Sequence, residues 1–120
     1  MAKKTTLFVG TNKGLFTFES KNRKKWELRD PFLPGWEVSS ILPSHDSLMV
    51  GTSHFVYGAT IRVSKDGGQT FTQSEGSPKY ADEKYTVNRI WQIVKHPKTK
   101  TLYAGVAEAG LFKSDDDGQS

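Results

Sequence analysis

The chain contains no cysteine. This absence excludes disulfide bonds, thiolate nucleophiles and cysteine metal ligands, and it is typical of proteins from reducing compartments. No apolar run approaches the roughly 20 residues of a membrane-spanning helix. The N-terminal stretch MAKKTTLFVG lacks the apolar core that a secretory signal peptide needs. We therefore expect a cytoplasmic protein with no membrane partner.

The excess of one charge over the other is also small, because 17 basic residues are set against 13 acidic ones, for a net charge of +4. Surfaces that bind nucleic acid interleave aromatic residues with their lysines. The lysine-rich stretches at 21–25 and 95–100 have no such aromatic residues. We interpret both stretches as solvated loops and expect no nucleic-acid partner. The sequence also has no phosphate-cradling loop, nucleophile elbow or zinc-ligand spacing, so we expect no cofactor and no metal.

The apolar runs are short and strand-like. Each is about five or six residues long and is bounded by Gly, Asn, Ser or Pro, whereas no stretch keeps helical spacing over three turns. The length of 120 residues is that of one ordinary domain. These features predict a single all-β domain.

A unit of sequence repeats along the chain. The three copies occupy 7–20, 48–64 and 102–114, and each opens with Leu-x-x-Gly and ends at a serine. The closing serines, Ser20, Ser64 and Ser114, are 44 and 50 residues apart. This period is that of one four-stranded antiparallel sheet per repeat, as in the blades of a β-propeller.

The repeat predicts four strands per blade, named A to D in chain order. Strand A is predicted at 36–42 and 87–94, strand B at 5–10, 46–51 and 101–105, strand C at 14–19, 59–63 and 110–113, and strand D at 26–29 and 71–74. We therefore divide residues 1–120, a partial β-propeller of about two and a half blades, into 5–29 without strand A, 36–74, and 87–120 without strand D.

The stretch SKDGGQTF at 64–71 joins strand C to strand D, and its residues suit a tight turn. Asp66 can accept hydrogen bonds from nearby backbone N–H groups, and glycines at 67 and 68 permit positive φ. The hydroxyls of Ser64 and Thr70 can satisfy further backbone groups. Phe71 then returns the chain to the core. We interpret this stretch as a structural turn and not as a site of chemistry.

The same residues resemble the Asp-box, or BNR repeat, of sialidase-like β-propellers. The family pattern is Ser-x-Asp-x-Gly-x-Thr-Trp, and here Ser64, Asp66, Gly68 and Thr70 match it with Phe71 in place of Trp. Ser114, Asp116 and Gly118 form a second copy, and 20–26 resembles a degenerate one with Asn22 in place of Asp. In that family the turn lies opposite the binding pocket, which implies that both aspartates are structural. Calcium loops alternate their ligands, so the adjacent aspartates 115–117 do not predict a cation site.

The strand scheme sorts the loops between two faces. The A–B and C–D turns share one face, and the longer B–C and D–A loops share the other, where loops of more than minimal length favour function. Each candidate also has a plain interpretation: packing between blades for tryptophan, a structural ion pair for arginine, ordinary loop surface for histidine and tyrosine. The candidate binding face comprises Trp36, Glu37, His54, Tyr57, Tyr85, Arg89 and Glu108.

The resemblance leaves two function classes open. Propellers with such turns serve as ligand- or protein-binding scaffolds, photosystem II assembly proteins among them. The alternative is a glycoside hydrolase of sialidase type. That resemblance implies an arginine cluster, an aspartate that acts as the catalytic acid, and a tyrosine nucleophile backed by a glutamate. The nearest arginine motif, Arg89-Ile90-Trp91, has Trp where the family has Pro, so no catalytic residue is assigned. We expect a carbohydrate or protein partner, and the remaining blades to come from a longer chain or from self-association.

Overall fold

A computed structural model describes residues 4–29, 31–44, 47–54, 56–74, 76–80, 86–107 and 110–116. These residues form three antiparallel sheets of β-strands. None of them forms a helix long and apolar enough to cross a membrane. The strands are β1 (Thr5–Thr11), β2 (Gly14–Ser20), β3 (Glu27–Leu28), β4 (Glu37–Pro43), β5 (Leu48–His54), β6 (Gly58–Ser64), β7 (Thr72–Gln73), β8 (Arg89–Lys95), β9 (Leu102–Ala107) and β10 (Gly110–Ser114).

The second sheet has the predicted four strands in the order β4-β5-β6-β7. The first sheet has the order β1-β2-β3, and the third has β8-β9-β10 when counted from its first strand. The all-β fold of antiparallel blades is thereby confirmed. The prediction of four-residue D strands was wrong, because β3 and β7 have two residues each. The residues that flank β7 make other contacts. Phe71 packs against the core, and Ser74 donates its N–H to the carbonyl of Ile61 outside the β-ladder.

The three sheets stack face to face in chain order. Alternation with period two places one side of each strand in a core, as in β9, where Leu102, Ala104 and Val106 are buried. Burial of a large aliphatic side chain contributes about 1.5–3 kcal/mol. The core between the first two sheets contains Leu15, Val38, Leu48 and Val50, and the core between the second and third contains Met49, Ile61, Val87, Ile90, Ile93, Leu102, Ala104 and Val106.

The glycines of the first two Leu-x-x-Gly motifs lie where strands of neighbouring sheets approach closely. A Cβ on Gly10 would collide with the carbonyl oxygen of Val38 in β4. A Cβ on Gly51 would lie 2.9 Å from the Cβ of Ile90 in β8. At Gly105 the same atom would have no described neighbour within 4 Å. In the first two sheets, the glycine therefore lets the first strand of the next sheet pack closely against the strand that carries the motif.

The first strands of the second and third sheets share an irregularity. The register of β4 with β5 shifts between Val38 and Ser40, and that of β8 with β9 shifts between Ile90 and Gln92. Such bulges turn a side chain away from its regular direction. In β4 this turn lets Ser39 Oγ donate a hydrogen bond to the carbonyl of Ile90, at 2.6 Å. The bulge thus joins two neighbouring sheets.

Candidate binding site

The turn at 64–71 closes on itself through side-chain hydrogen bonds. Ser64 Oγ donates to Asp66 Oδ1 at 2.7 Å and accepts the N–H of Gly68 at 2.9 Å. Asp66 Oδ1 also accepts the N–H of Thr70 at 2.9 Å, and the Thr70 hydroxyl donates to the other carboxylate oxygen. These bonds, those from Thr70 above all, lower the pKa of Asp66 to about 2. Asp66 is therefore an ionised acceptor within the turn.

The backbone of this turn needs its glycines. Gly67 and Gly68 have φ of 76° and 96°, a region that residues with a Cβ rarely adopt. After the turn, the ring of Phe71 lies 6.5 Å from that of Phe32, at the edge of the core between the first two sheets. Each residue of the motif thus has a structural contact.

The first copy keeps this bonding pattern despite its degenerate sequence. Ser20 Oγ accepts the N–H of Arg23 at 2.8 Å, and Asn22 Oδ1 accepts those of Lys24 and Lys25 at 2.9 and 3.0 Å. With no glycine available, Arg23 itself adopts a φ of 61°.

The third copy begins in the same way as the second. Ser114 Oγ donates to Asp116 Oδ1 at 2.8 Å, as Ser64 does to Asp66. Gly118 lies outside the described residues.

A cavity of about 590 Å³ lies on the other face of the sheets. Its walls come from the β1–β2 and β5–β6 loops and from the connections that lead into β4 and β8. A separate cavity of about 230 Å³, where an A–B turn meets a C–D turn, is lined in part by Pro43, Ser44, Ser47, Lys65 and Gly67. The described loops that line these two cavities are therefore divided between the faces as the strand scheme predicts. The residues that line the larger cavity are Asn12, Gly35, Glu37, Ser53, His54, Val56, Gly58, Thr86, Val87, Asn88 and Arg89.

An ion pair crosses this cavity from the second sheet to the third. Glu37 and Arg89 are the first residues of β4 and β8, which brings their side chains together although they are far apart in sequence. Arg89 Nη2 donates to Glu37 Oε2 at 2.9 Å. Arg89 Nε lies 2.6 Å from Oε1, at an angle outside hydrogen-bond geometry, so this second contact is electrostatic. The arginine therefore has a structural carboxylate partner.

Three rings form a cluster at the rim of the cavity. Trp36 precedes β4, His54 ends β5, and Tyr57 lies in the loop that follows. Their centroids are 5.0 Å apart for Trp36 and His54, 5.9 Å for Trp36 and Tyr57, and 4.8 Å for His54 and Tyr57. Tyr57 is 71% exposed and its neighbour Val56 is 62% exposed. The cluster thus presents an aromatic and aliphatic surface to solvent.

His54 also shapes the loop that carries Tyr57. Its Nδ1 accepts the backbone N–H of Val56 at 3.0 Å and that of Tyr57 at 3.4 Å. These bonds require a lone pair on Nδ1, which places the proton of the neutral ring on Nε2.

Arg62 is a member of this region that the sequence did not reveal. Its guanidinium carbon lies 4.1 Å from the centroid of the Trp36 ring, a cation–π contact. Its Nε is buried and has no hydrogen-bond partner among the described residues. Burial also lowers the pKa of Arg62. Arg62 follows the buried Ile61 in β6, and nothing in that local pattern points to the distant Trp36.

Five predicted site residues, Trp36, Glu37, His54, Tyr57 and Arg89, lie at or beside the cavity. Tyr85 and Glu108 lie outside the described residues. Sequence reasoning missed Arg62, as well as the polar cavity residues Asn12, Ser53 and Thr86. Among the described lining residues, Glu37 is the only carboxylate. These residues therefore do not provide the pair of carboxylates that glycoside hydrolysis ordinarily uses.

The chain superposes on a solved structure entitled "YCF48 bound to D1 peptide" with a TM-score of 0.56 and 16% sequence identity. The chain is a partial β-propeller. The superposition covers 93% of this chain but 33% of the matched one, so the propeller described here spans about a third of the length of its structural neighbour. No protein-family model matches the chain, and no curated protein sequence matches it.

Proposed function

We propose that this propeller is a protein-binding scaffold that holds a peptide segment of its partner on the face opposite the 64–71 turn. The observation that carries the proposal is the stack of Tyr57 on Trp36 at the rim of a polar cavity of about 590 Å³. Binding hot spots are enriched in tryptophan, tyrosine and arginine, the residue types that meet at this rim. We further propose that the turns at 20–26, 64–71 and 114–120 are copies of the Asp-box and serve the fold alone.

The chemistry of the cavity favours a peptide. Asn88, Ser53 and Thr86 can exchange hydrogen bonds with a peptide backbone, while the rings of Trp36 and Tyr57 can pack against an apolar side chain. Glu37 and Arg89 neutralise each other, so a strongly charged partner is not required. The peptide in the matched structure supports the same class of partner.

Binding should be measured with two probes: the D1 peptide and a displayed library of random peptides. We expect peptides to be selected, and Tyr57→Ala to weaken their binding at least about tenfold, because Tyr57 is the most exposed member of the cluster. Lys65→Ala is the matched control, since Lys65 is exposed in the turn on the other face. Selected peptides that bind Tyr57→Ala and wild type equally would place the interface elsewhere, and failure to select any would contradict the proposal.

Glycoside hydrolysis of sialidase type remains the alternative function. The Asp-box resemblance is what supports it, whereas the engagement of Arg89 by Glu37 counts against a free arginine for a substrate carboxylate. Incubation with fluorogenic sialosides and aryl glycosides separates the two functions. Turnover that is lost in Arg89→Lys would favour the hydrolase, and absence of turnover together with peptide binding would favour the scaffold.

A further inference from the structure

We propose that His54 makes the binding face sensitive to pH, because protonation of its ring releases the loop that carries Tyr57. The inference concerns the regulation of the proposed site and rests on the proposed function for its biological meaning. The structural switch itself is independent of any ligand.

The switch follows from the two hydrogen bonds that Nδ1 accepts from Val56 and Tyr57, at 3.0 and 3.4 Å. A protonated imidazole carries a hydrogen on both nitrogens and can accept at neither. Proton uptake at Nδ1 would therefore break both bonds at once. Histidine side chains change charge in the range of about pH 8 to pH 5, where most other groups do not.

Loss of these bonds matters because, within the described part of the chain, few other contacts restrain Val56 and Tyr57. Val56 and Tyr57 are 62% and 71% exposed, so little buried surface holds them in place. The contacts of Tyr57 given above are ring contacts, to Trp36 and to His54 itself. A released loop would no longer present Tyr57 stacked on Trp36, which is the arrangement that the proposed binding site uses.

Among the described residues, the charged groups near the ring act in both directions. Glu37 lines the same cavity and attracts an added positive charge, but it is already paired with Arg89. Arg62 lies over Trp36, whose ring contacts His54, and repels such a charge. The phenol of Tyr57 is the titratable group on the same loop.

The test follows the backbone of the full chain by NMR, without ligand. In the wild type we expect the ¹⁵N order parameters of Val56 and Tyr57 to fall from about 0.8 at pH 8 to about 0.6 or less at pH 5. His96 offers an internal comparison, because its Nδ1 accepts the N–H of Lys98 at 3.1 Å in a turn remote from the cavity.

Two variants isolate the role of Nδ1. His54→Asn provides a side-chain oxygen near the position of Nδ1 that does not titrate, so the loop should stay ordered at both pH values. His54→Ala has no acceptor, so the loop should be mobile at both. If peptide ligands are found, their wild-type affinity should fall at least about fivefold from pH 8 to pH 5, and their affinity for His54→Asn should not.

The inference is overturned if the order parameters of Val56 and Tyr57 are equal at the two pH values in the wild type. It is also overturned if His54→Asn shows the same pH dependence as the wild type, since another group would then be responsible. Absence of peptide binding would count against the proposed function alone, because the NMR result does not depend on a ligand.

Discussion

Ser39 Oγ lies 2.6 Å from the carbonyl oxygen of Ile90 and joins the first strands of the second and third sheets. One residue earlier, Val38 of β4 lies against Gly10 of β1, and Ile90 in turn lies against Gly51 of β5. The same relationship therefore occurs twice: a branched side chain of one first strand fills the space left by the glycine of the preceding sheet.

Valine at Gly51 should destabilise the chain, whereas valine at Gly105 should not. A side chain at Gly51 collides with Ile90 in a closed core, and overpacking of this kind costs about 1–3 kcal/mol. At Gly105 no described atom lies within 4 Å of the added Cβ, so the effect should stay within about 0.5 kcal/mol. Urea unfolding followed by tryptophan fluorescence measures both. Equal losses for Gly51→Val and Gly105→Val would contradict the close-approach role of Gly51.

Ser64→Ala should lower the free energy of unfolding by about 1–3 kcal/mol, because the N–H of Gly68 would lose its acceptor within a buried turn. Ser64 is 1% exposed, so water cannot easily replace the hydroxyl. Ser44→Ala is the control, since Ser44 is exposed and its hydroxyl bonds to Ser47 of the same loop. Equal unfolding midpoints for Ser64→Ala and wild type would show that the turn does not depend on this hydroxyl.

Asp66 should make the fold sensitive to acid. Its pKa is lowered from 3.8 to about 2 in the folded chain, so the ionised carboxylate stabilises the fold above about pH 4, and this contribution is lost as the pH falls towards 2. Asp66→Asn removes this titration. The stability difference between wild type and Asp66→Asn, measured by urea unfolding at pH 6 and pH 2.5, should therefore shrink at the lower pH. A constant difference would contradict the stabilising role of the charge.

Glu37 and Arg89 should be energetically coupled across the second and third sheets. Their contact is two-pronged but partly exposed, with side chains 30% and 37% accessible, so we expect a coupling of about 1 kcal/mol and not more. A double-mutant cycle with Glu37→Gln and Arg89→Met at low and at high salt measures it. The coupling should weaken in high salt, and a coupling of zero at low salt would show that the pair is incidental.

Local chemistry explains what could be predicted from the sequence. Asp66, Gly67 and Gly68 carry the signal of their turn within a few residues, and the repeated Leu-x-x-Gly marks strand B of each blade. The site could be located only in part, because the contact of Arg62 with the Trp36 ring depends on how β6 and the connection before β4 pack together. Bulges at Ser39 and in β8 shift the register of strands, which period-two reasoning cannot foresee.

The accessibility of introduced cysteines tests most directly whether the first strands of the second and third sheets pack against the preceding sheets. Because the chain has no cysteine, a single introduced thiol reports its own accessibility. Val38 and Ile90 are 3% and 0% exposed, whereas Val94 of the same strand as Ile90 is 48% exposed. We predict that Val38→Cys and Ile90→Cys react with a maleimide at least about 100-fold more slowly than Val94→Cys under native conditions. Equal rates for the three variants, in chains that retain a β-sheet circular dichroism spectrum, would contradict the stacking of successive sheets.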